Sequence, residues 1–236
     1  MKIILYSLLL IVIPIMSFAE TFTDDFSNGL RSEYWSVSHN SYTYNVDTSQ
    51  NNVHFSKSYG GNYLFQAVSA VFQGDLHGDF DVSIDYSNAN IARVDGSPGN
   101  QVQLNLWFNQ TFSVVRSDEI NIGQNYHIWA DPPKALYGTT SFTNNYGTMR
   151  VIRTGTLVKG YHNNDLIWSN NYTINTVTEL TFSLQNNGTK DSTSVIFDNF
   201  IVTADDITGI EIPEPGSFLL LVISGLAFVF TRYSKK

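Results

Sequence analysis

Residues 79–86 read Asp-Phe-Asp-Val-Ser-Ile-Asp-Tyr, and apolar and polar side chains alternate along the whole segment. Residues 101–108, Gln-Val-Gln-Leu-Asn-Leu-Trp-Phe, show the same alternation. A period of two is typical of a β-strand with one buried and one wet face. No part of residues 20–207 sustains a helical period, and Gly/Asn turns separate the apolar runs. The sequence therefore predicts an all-β sandwich or jelly roll. Further strands are predicted over residues 126–130, 148–153, 157–161, 166–168, 180–184 and 195–202.

The two ends of this region resemble a known family. Residues 24–30, Asp-Asp-Phe-Ser-Asn-Gly-Leu, lead to Trp35 and resemble the first strand and loop of concanavalin A-like lectin/glucanase domains. Residues 195–202, Val-Ile-Phe-Asp-Asn-Phe-Ile-Val, resemble the closing strand of the same domains. The resemblance implies a jelly-roll β-sandwich in which the first and last strands pair in one sheet.

The same resemblance implies a structural calcium near the paired terminal strands. Asp24, Asp25 and Asp198 are the candidate ligands by position. No loop with recognised calcium-ligand spacing is present, so turn and cap roles are the alternative for these aspartates.

Residues 119–123 match a known catalytic motif only in part. Laminarinase-type members of the superfamily carry Glu-x-Asp-x-Glu on one strand, as nucleophile, assisting carboxylate and general acid/base. Here Glu119 matches the first position, but Asn121 and Gly123 replace the other two carboxylates. A retaining glycosidase needs two carboxyl groups about 5 Å apart, and this segment supplies one. We therefore predict no catalytic residue here; a secreted glycoside hydrolase or lyase with a second carboxylate from elsewhere is the alternative.

Polar and aromatic residues share strand faces at two places. Gln103, Asn105 and Trp107 lie on one face of their predicted strand, and Trp129 follows His127 on another. Amides that hydrogen-bond and indoles that stack are typical of a polysaccharide site on a concave sheet. Packing of the tryptophans against neighbouring strands is the alternative.

Composition limits the class of protein. The chain has no cysteine, so disulfides do not stabilise it. Its formal net charge is −8, and four of the thirteen basic residues lie near the termini, so the central region is more acidic still. Nucleic-acid binding requires clusters of Lys and Arg and is not predicted.

The N-terminus predicts export. Lys2 precedes an apolar run over residues 3–15, and Ser17-Phe18-Ala19 provides small residues before a signal-peptidase cut. We predict a signal peptide over residues 1–19, with cleavage after Ala19.

The C-terminus has three parts in a fixed order: a Pro-Glu-Pro-Gly turn, an uncharged apolar run over residues 217–231, and a basic end. The tail resembles the PEP-CTERM sorting signal of exported proteins in Gram-negative, exopolysaccharide-producing bacteria. The resemblance implies processing by an exosortase, a membrane-embedded cysteine transpeptidase; a plain C-terminal anchor is the alternative. The sorting residues are Pro213, Glu214, Pro215, Gly216, Arg232, Lys235 and Lys236.

These segments give one organisation: a signal peptide (1–19), a β-sandwich domain (20–207), a linker (208–212), and a sorting tail with a transmembrane helix (213–236). The expected protein reaches the envelope surface, extracellular matrix or biofilm of a Gram-negative bacterium. We expect a structural or adhesive role with polysaccharide binding. A spacer domain without a ligand is a further alternative.

Overall fold

The computed structural model describes residues 19–40, 44–58, 66–92, 99–108, 111–119, 123–131, 135–141, 144–173, 176–186 and 192–212. All regular structure in these ranges is β-strand, which confirms the predicted all-β class. Within the same ranges, no helix has the length and apolar character needed to cross a bilayer.

The described strands, in chain order, are β1 (Glu20–Asp24), β2 (Trp35–His39), β3 (Tyr44–Asp47), β4 (Val53–Lys57), β5 (Gln66–Phe72), β6 (Asp75–Asn90), β7 (Gly99–Trp107), β8 (Thr111–Glu119), β9 (Gly123–Asp131), β10 (Ala135–Ser141), β11 (Gly147–Thr154), β12 (Leu157–His162), β13 (Asp165–Asn171), β14 (Thr176–Val177), β15 (Glu179–Asn186) and β16 (Thr193–Thr208).

These strands form two antiparallel sheets. The nine-stranded sheet has the order β13-β12-β11-β6-β16-β4-β3, with β1 paired to β16 and β14 paired to β6. The seven-stranded sheet has the order β10-β9-β8-β7-β15-β5-β2. In β1 and β16, Glu20 lies opposite Ala204 and Asp24 opposite Phe200, so the predicted pairing of the first and last strands is confirmed.

The core lies between the inward faces of the two sheets. Phe182 of β15, on the seven-stranded sheet, contacts Phe55 and Phe197 of the nine-stranded sheet at ring-centroid distances of 5.8 and 4.7 Å. All three side chains are fully buried. Burial of large aromatic rings is the main source of stability in such a sandwich.

A buried carboxylate fixes the turn after β1. Asp24 Oδ1 accepts a hydrogen bond from the Phe26 backbone N–H at 2.9 Å, and its Oδ2 accepts one from Trp35 Nε1 at 3.0 Å. Phe26 has a φ of 52°, a conformation that bulky residues rarely adopt. Its ring packs on that of Trp35, 5.6 Å away, so core packing and the carboxylate together hold the strained turn.

The described residues include most of the predicted domain and little of the segments predicted on either side of it. All of the predicted strands are present, most of them longer than predicted. The last strand ends at Thr208, and within the predicted linker Ile210 and Ile212 pack against the core. The predicted signal peptide, except Ala19, and the whole predicted tail lie outside the described residues, so both stay predictions.

Candidate functional site

The outward face of the seven-stranded sheet carries a groove of about 590 Å³. Strands β5, β15, β7, β8 and β9 supply its lining, which consists mainly of amides and hydroxyls. The lining residues are Ala67, Ser69, Gln101, Gln103, Asn105, Leu106, Trp107, Thr111, Ser113, Val115, His127, Glu179, Thr181, Ser183 and Gln185.

Strand alternation explains why polar groups collect on this face. Val102 and Leu104 of β7 are fully buried in the core. Because successive side chains of a strand point to opposite faces, Gln103 and Asn105 point outward. Both line the groove together with Trp107, so the structure brings these three predicted residues to one site.

Hydrogen bonds between β7 and β15 order the amides. Asn105 Nδ2 donates to Thr181 Oγ1 and to Ser183 Oγ, both at 3.2 Å. Gln103 Nε2 donates to Gln185 Oε1 at 3.1 Å. Side chains that are already ordered lose less conformational entropy when a ligand binds, so this network is a preorganised surface.

Trp107 stands at one end of the groove. It is the last residue of β7, with Thr111 opposite it on β8 and Glu179 opposite it on β15. The backbone N–H of Thr178 donates to the Trp107 carbonyl at 3.0 Å and holds this strand end in place. An aromatic ring flanked by a hydroxyl and a carboxylate combines a stacking surface with hydrogen-bonding groups.

Trp107 differs from the other tryptophans whose side chains are described. Its side chain is 47% exposed, whereas Trp35 is 3% exposed within the core. Trp168 is half-buried and packs on Phe112, with ring centroids 5.3 Å apart. Packing against other aromatic rings of the core therefore accounts for Trp35 and Trp168 but not for Trp107. The side chain of Trp129 lies outside the described residues, so its predicted ligand contact stays a prediction.

His127 lies in the floor of the groove and is 1% exposed. Burial lowers its pKa to about 4, because the surroundings disfavour the charged imidazolium. Its Nδ1 lies 3.4 Å from Ser117 Oγ. At neutral pH the side chain is therefore an uncharged hydrogen-bonding group.

The residues at the two ends of the segment 119–123 lie on different strands. Strand β8 ends at Glu119, β9 begins at Gly123, and these two residues pair directly with each other. Because Glu119 and Gly123 lie on different, antiparallel strands, they do not have the single-strand arrangement that a Glu-x-Asp-x-Glu site requires. Asn121 and the side chain of Glu119 lie outside the described residues. Among the described side chains that line the groove, Glu179 is the only carboxylate.

The predicted calcium ligands have other contacts. Both oxygens of Asp24 accept protein N–H groups, as described above. Asp25 Oδ1 accepts the Ser27 backbone N–H at 3.0 Å, which lowers the pKa of this exposed carboxyl. Asp198 Oδ1 accepts the Asn199 backbone N–H at 2.8 Å. Within the described residues, no three acidic or histidine side chains lie together in a metal-binding group, and the calcium stays a prediction.

The sequence interpretation missed the contribution of β15. The alternation of Leu180, Phe182 and Leu184 was evident, and it also implies that Thr181 and Ser183 share the opposite face. Their place beside Asn105 depends on the pairing of β15 with β7, which joins residues far apart in the chain.

Comparison with solved structures shows the fold class. A structure titled "Prominent members of the human gut microbiota express endo-acting O-glycanases to initiate mucin breakdown" matches with a TM-score of 0.62, 7% identity, and coverage of 78% of this chain and 99% of its own. A Bacillus licheniformis β-glucanase matches with a TM-score of 0.53, 12% identity, and coverage of 78% and 97%. The carbohydrate recognition domain of Emp46p, in metal-free form, matches with a TM-score of 0.53, 9% identity, and coverage of 80% and 96%. At these identities the likeness shows a shared concanavalin- or galectin-like jelly-roll sandwich.

Residues 16–220 match one protein family over nearly the whole chain. The chain belongs to the family described as "Protein of unknown function (DUF1583) C domain". No curated protein matches it.

Proposed function

We propose that this protein binds polysaccharide in the groove of the seven-stranded sheet and serves as an adhesive or structural component outside the cell. The observation that carries the proposal is the exposed ring of Trp107 beside the ordered amides of Gln103 and Asn105. Sugar hydroxyls pair with amide and hydroxyl groups, and the apolar face of a sugar ring stacks on an indole. The solved structures of similar fold include a β-glucanase and a carbohydrate recognition domain, which support the proposal by analogy.

The sorting tail completes the proposal. In this account an exosortase-type enzyme removes the hydrophobic segment after export through the inner membrane, and the domain remains at the surface or in the matrix. Many tethered copies of a weak glycan site then bind through high effective concentration, so tight binding by one domain is not required.

One observation favours an enzyme as the second candidate: the carboxylate of Glu179 lies on the groove beside Trp107. A glycosidase needs a second carboxyl group about 5–10 Å away. The nearest acidic residue in the same cross-strand row is Asp131 of β9, which lies opposite Thr111 of β8. It is three strands from Glu179, or about 14 Å between Cα atoms. Binding is the better supported function because Glu179 is the only carboxylate among the described side chains that line the groove.

A binding screen tests the proposal. The full chain, kept in a detergent that contains no sugar, is applied to a panel of immobilised polysaccharides with and without calcium. W107A is compared with Y146A, because Tyr146 is a similarly exposed aromatic residue, 57% exposed and outside the groove. We expect W107A to weaken binding by at least about tenfold, a loss typical of an aromatic hot spot, while Y146A binds as wild type. If the wild type binds none of the polysaccharides, the result would support the alternative of a spacer domain without a ligand.

A second experiment tests the sorting tail. The intact mass of the protein is measured after expression in hosts with and without an exosortase-type enzyme. We expect the segment that follows Pro213 and Pro215 to be lost only in the host that has the enzyme. Equal masses in the two hosts would show that the tail is a plain anchor.

A further inference from the structure

The strands around the groove carry very little positive charge. The seven strands of this sheet include a single Lys or Arg, Arg116 on β8. The side chain of Arg116 is 4% exposed. Its Nη1 donates to the Ala89 carbonyl at 3.3 Å and its Nη2 to the Asn144 carbonyl at 3.0 Å. Neither Ala89 nor Asn144 lines the groove, so the guanidinium is directed away from it.

The groove itself carries one charged group among its described side chains, the carboxylate of Glu179. Glu179 is exposed and lies directly opposite Trp107, where a stacked sugar ring would sit. The rest of the polar lining consists of amides, hydroxyls and the buried His127, which is uncharged at neutral pH because its pKa is lowered to about 4.

We infer that the groove selects uncharged polysaccharides and rejects polymers that carry carboxylate or sulfate groups, with Glu179 as the residue that determines this selection. The inference rests on the proposed function and narrows the class of ligand. An anionic polymer would lose hydration in the groove without gaining a cationic partner, and it would approach the Glu179 carboxylate. The carboxylate does not repel an uncharged polymer, because the hydroxyls of that polymer donate hydrogen bonds to it.

The selectivity is measured with the full chain and two soluble polymers: an uncharged β-glucan and a uronic acid polymer of similar length. Affinity is determined at low and at physiological salt, because screening weakens repulsion between exposed charges. We expect the wild type to bind the glucan at least about tenfold more tightly at low salt, with the difference shrinking as salt rises.

Charge-reversal variants distinguish the effect of the Glu179 charge on binding from the effect of the protein's overall negative charge. E179K places a cation at the Trp107 end of the groove. D165K makes the same change of charge at an exposed position on β13, in the other sheet. We expect E179K to raise affinity for the uronic acid polymer by about tenfold and D165K to change it less than about twofold.

The outcomes distinguish this inference from the proposed function. Binding of neither polymer by the wild type would overturn both. Equal affinity for glucan and uronic acid polymer at low salt would overturn the selectivity and leave polysaccharide binding intact. An equal gain in E179K and D165K would show that net charge, rather than Glu179, controls the choice.

Discussion

The outward faces of the two sheets follow the same alternation of side chains but carry different chemistry. On the nine-stranded sheet, Arg150 of β11 forms a bidentate ion pair with Asp81 of β6, in which the Nε–Oδ1 distance is 2.7 Å. Nearby, Thr148 donates to Asp85. On the seven-stranded sheet, amides and hydroxyls line a groove with an exposed tryptophan at its end. On the nine-stranded face these charged groups pair with neighbouring side chains, whereas the groove face, with Glu179 as the one charged group among its described lining, offers hydrogen-bonding and stacking groups to a ligand.

Both faces depend on one core, and substitution there should have the largest effect. F182A removes the ring that contacts Phe55 and Phe197 across the sandwich. We expect it to lower the free energy of unfolding by about 3–5 kcal/mol. Q185A, three residues away on the groove face of β15, should cost less than about 1 kcal/mol. Urea unfolding of both variants measures the difference; equal losses would show that β15 does not have one core face and one groove face.

Each sheet contains a buried histidine with a lowered pKa. Burial lowers the pKa of His127 on β9 to about 4, and burial together with the positive charge of Arg116 lowers that of His162 on β12 to about 4. His162 Nε2 also lies 2.8 Å from the Tyr86 hydroxyl.

Because both folded-state pKa values lie below the ordinary histidine pKa of 6.5, the unfolded chain takes up protons first as the pH falls. This contribution to stability is full above pH 6.5 and is lost as the pH falls toward 4. We expect a loss of roughly 2–3 kcal/mol for each histidine, measured by urea unfolding at several pH values. H127N and H162N should each remove part of the pH dependence; a stability that stays constant between pH 7 and 4.5 would contradict the burial of both rings.

Asp24 joins the two sheets, because it lies on β1 and accepts the indole N–H of Trp35 on β2. D24A should cost about 2–3 kcal/mol, since it leaves buried donors without an acceptor. D25A, at an exposed neighbour, should cost much less. Thermal unfolding in calcium and in chelator tests both aspartates at once. We expect each variant to lose the same stability in the two conditions. A loss of stability for D24A that appears only with calcium would instead show that Asp24 binds the metal.

Loss of the ion pair on the nine-stranded face should have the smallest effect on stability. Arg150 and Asp81 are each more than a third exposed, so solvent screens their attraction. R150M should change the free energy of unfolding by less than about 1 kcal/mol and leave polysaccharide affinity unchanged. Weaker polysaccharide binding by R150M would indicate that the ligand binds to the nine-stranded sheet, which would contradict the proposal.

The sequence predicts single strands better than it predicts their neighbours. The alternation of residues 101–107 is local, so it correctly predicts an outward row of Gln103, Asn105 and Trp107. The partners of that row lie on β15, 72 or more residues along the chain, and one sequence contains no signal for that register. The antiparallel pairing of Glu119 with Gly123 is likewise not evident from the sequence.

Hydroxyl-radical footprinting tests most directly which face binds polysaccharide. Oxidation of Trp107 and Tyr146 is followed in the same sample of full chain, with and without saturating β-glucan, so that radical scavenging by the sugar affects both residues equally. Binding in the groove predicts a several-fold fall in the oxidation of Trp107 relative to Tyr146. An unchanged ratio while glucan is bound, or selective protection of Tyr146, would contradict a ligand site on the seven-stranded sheet.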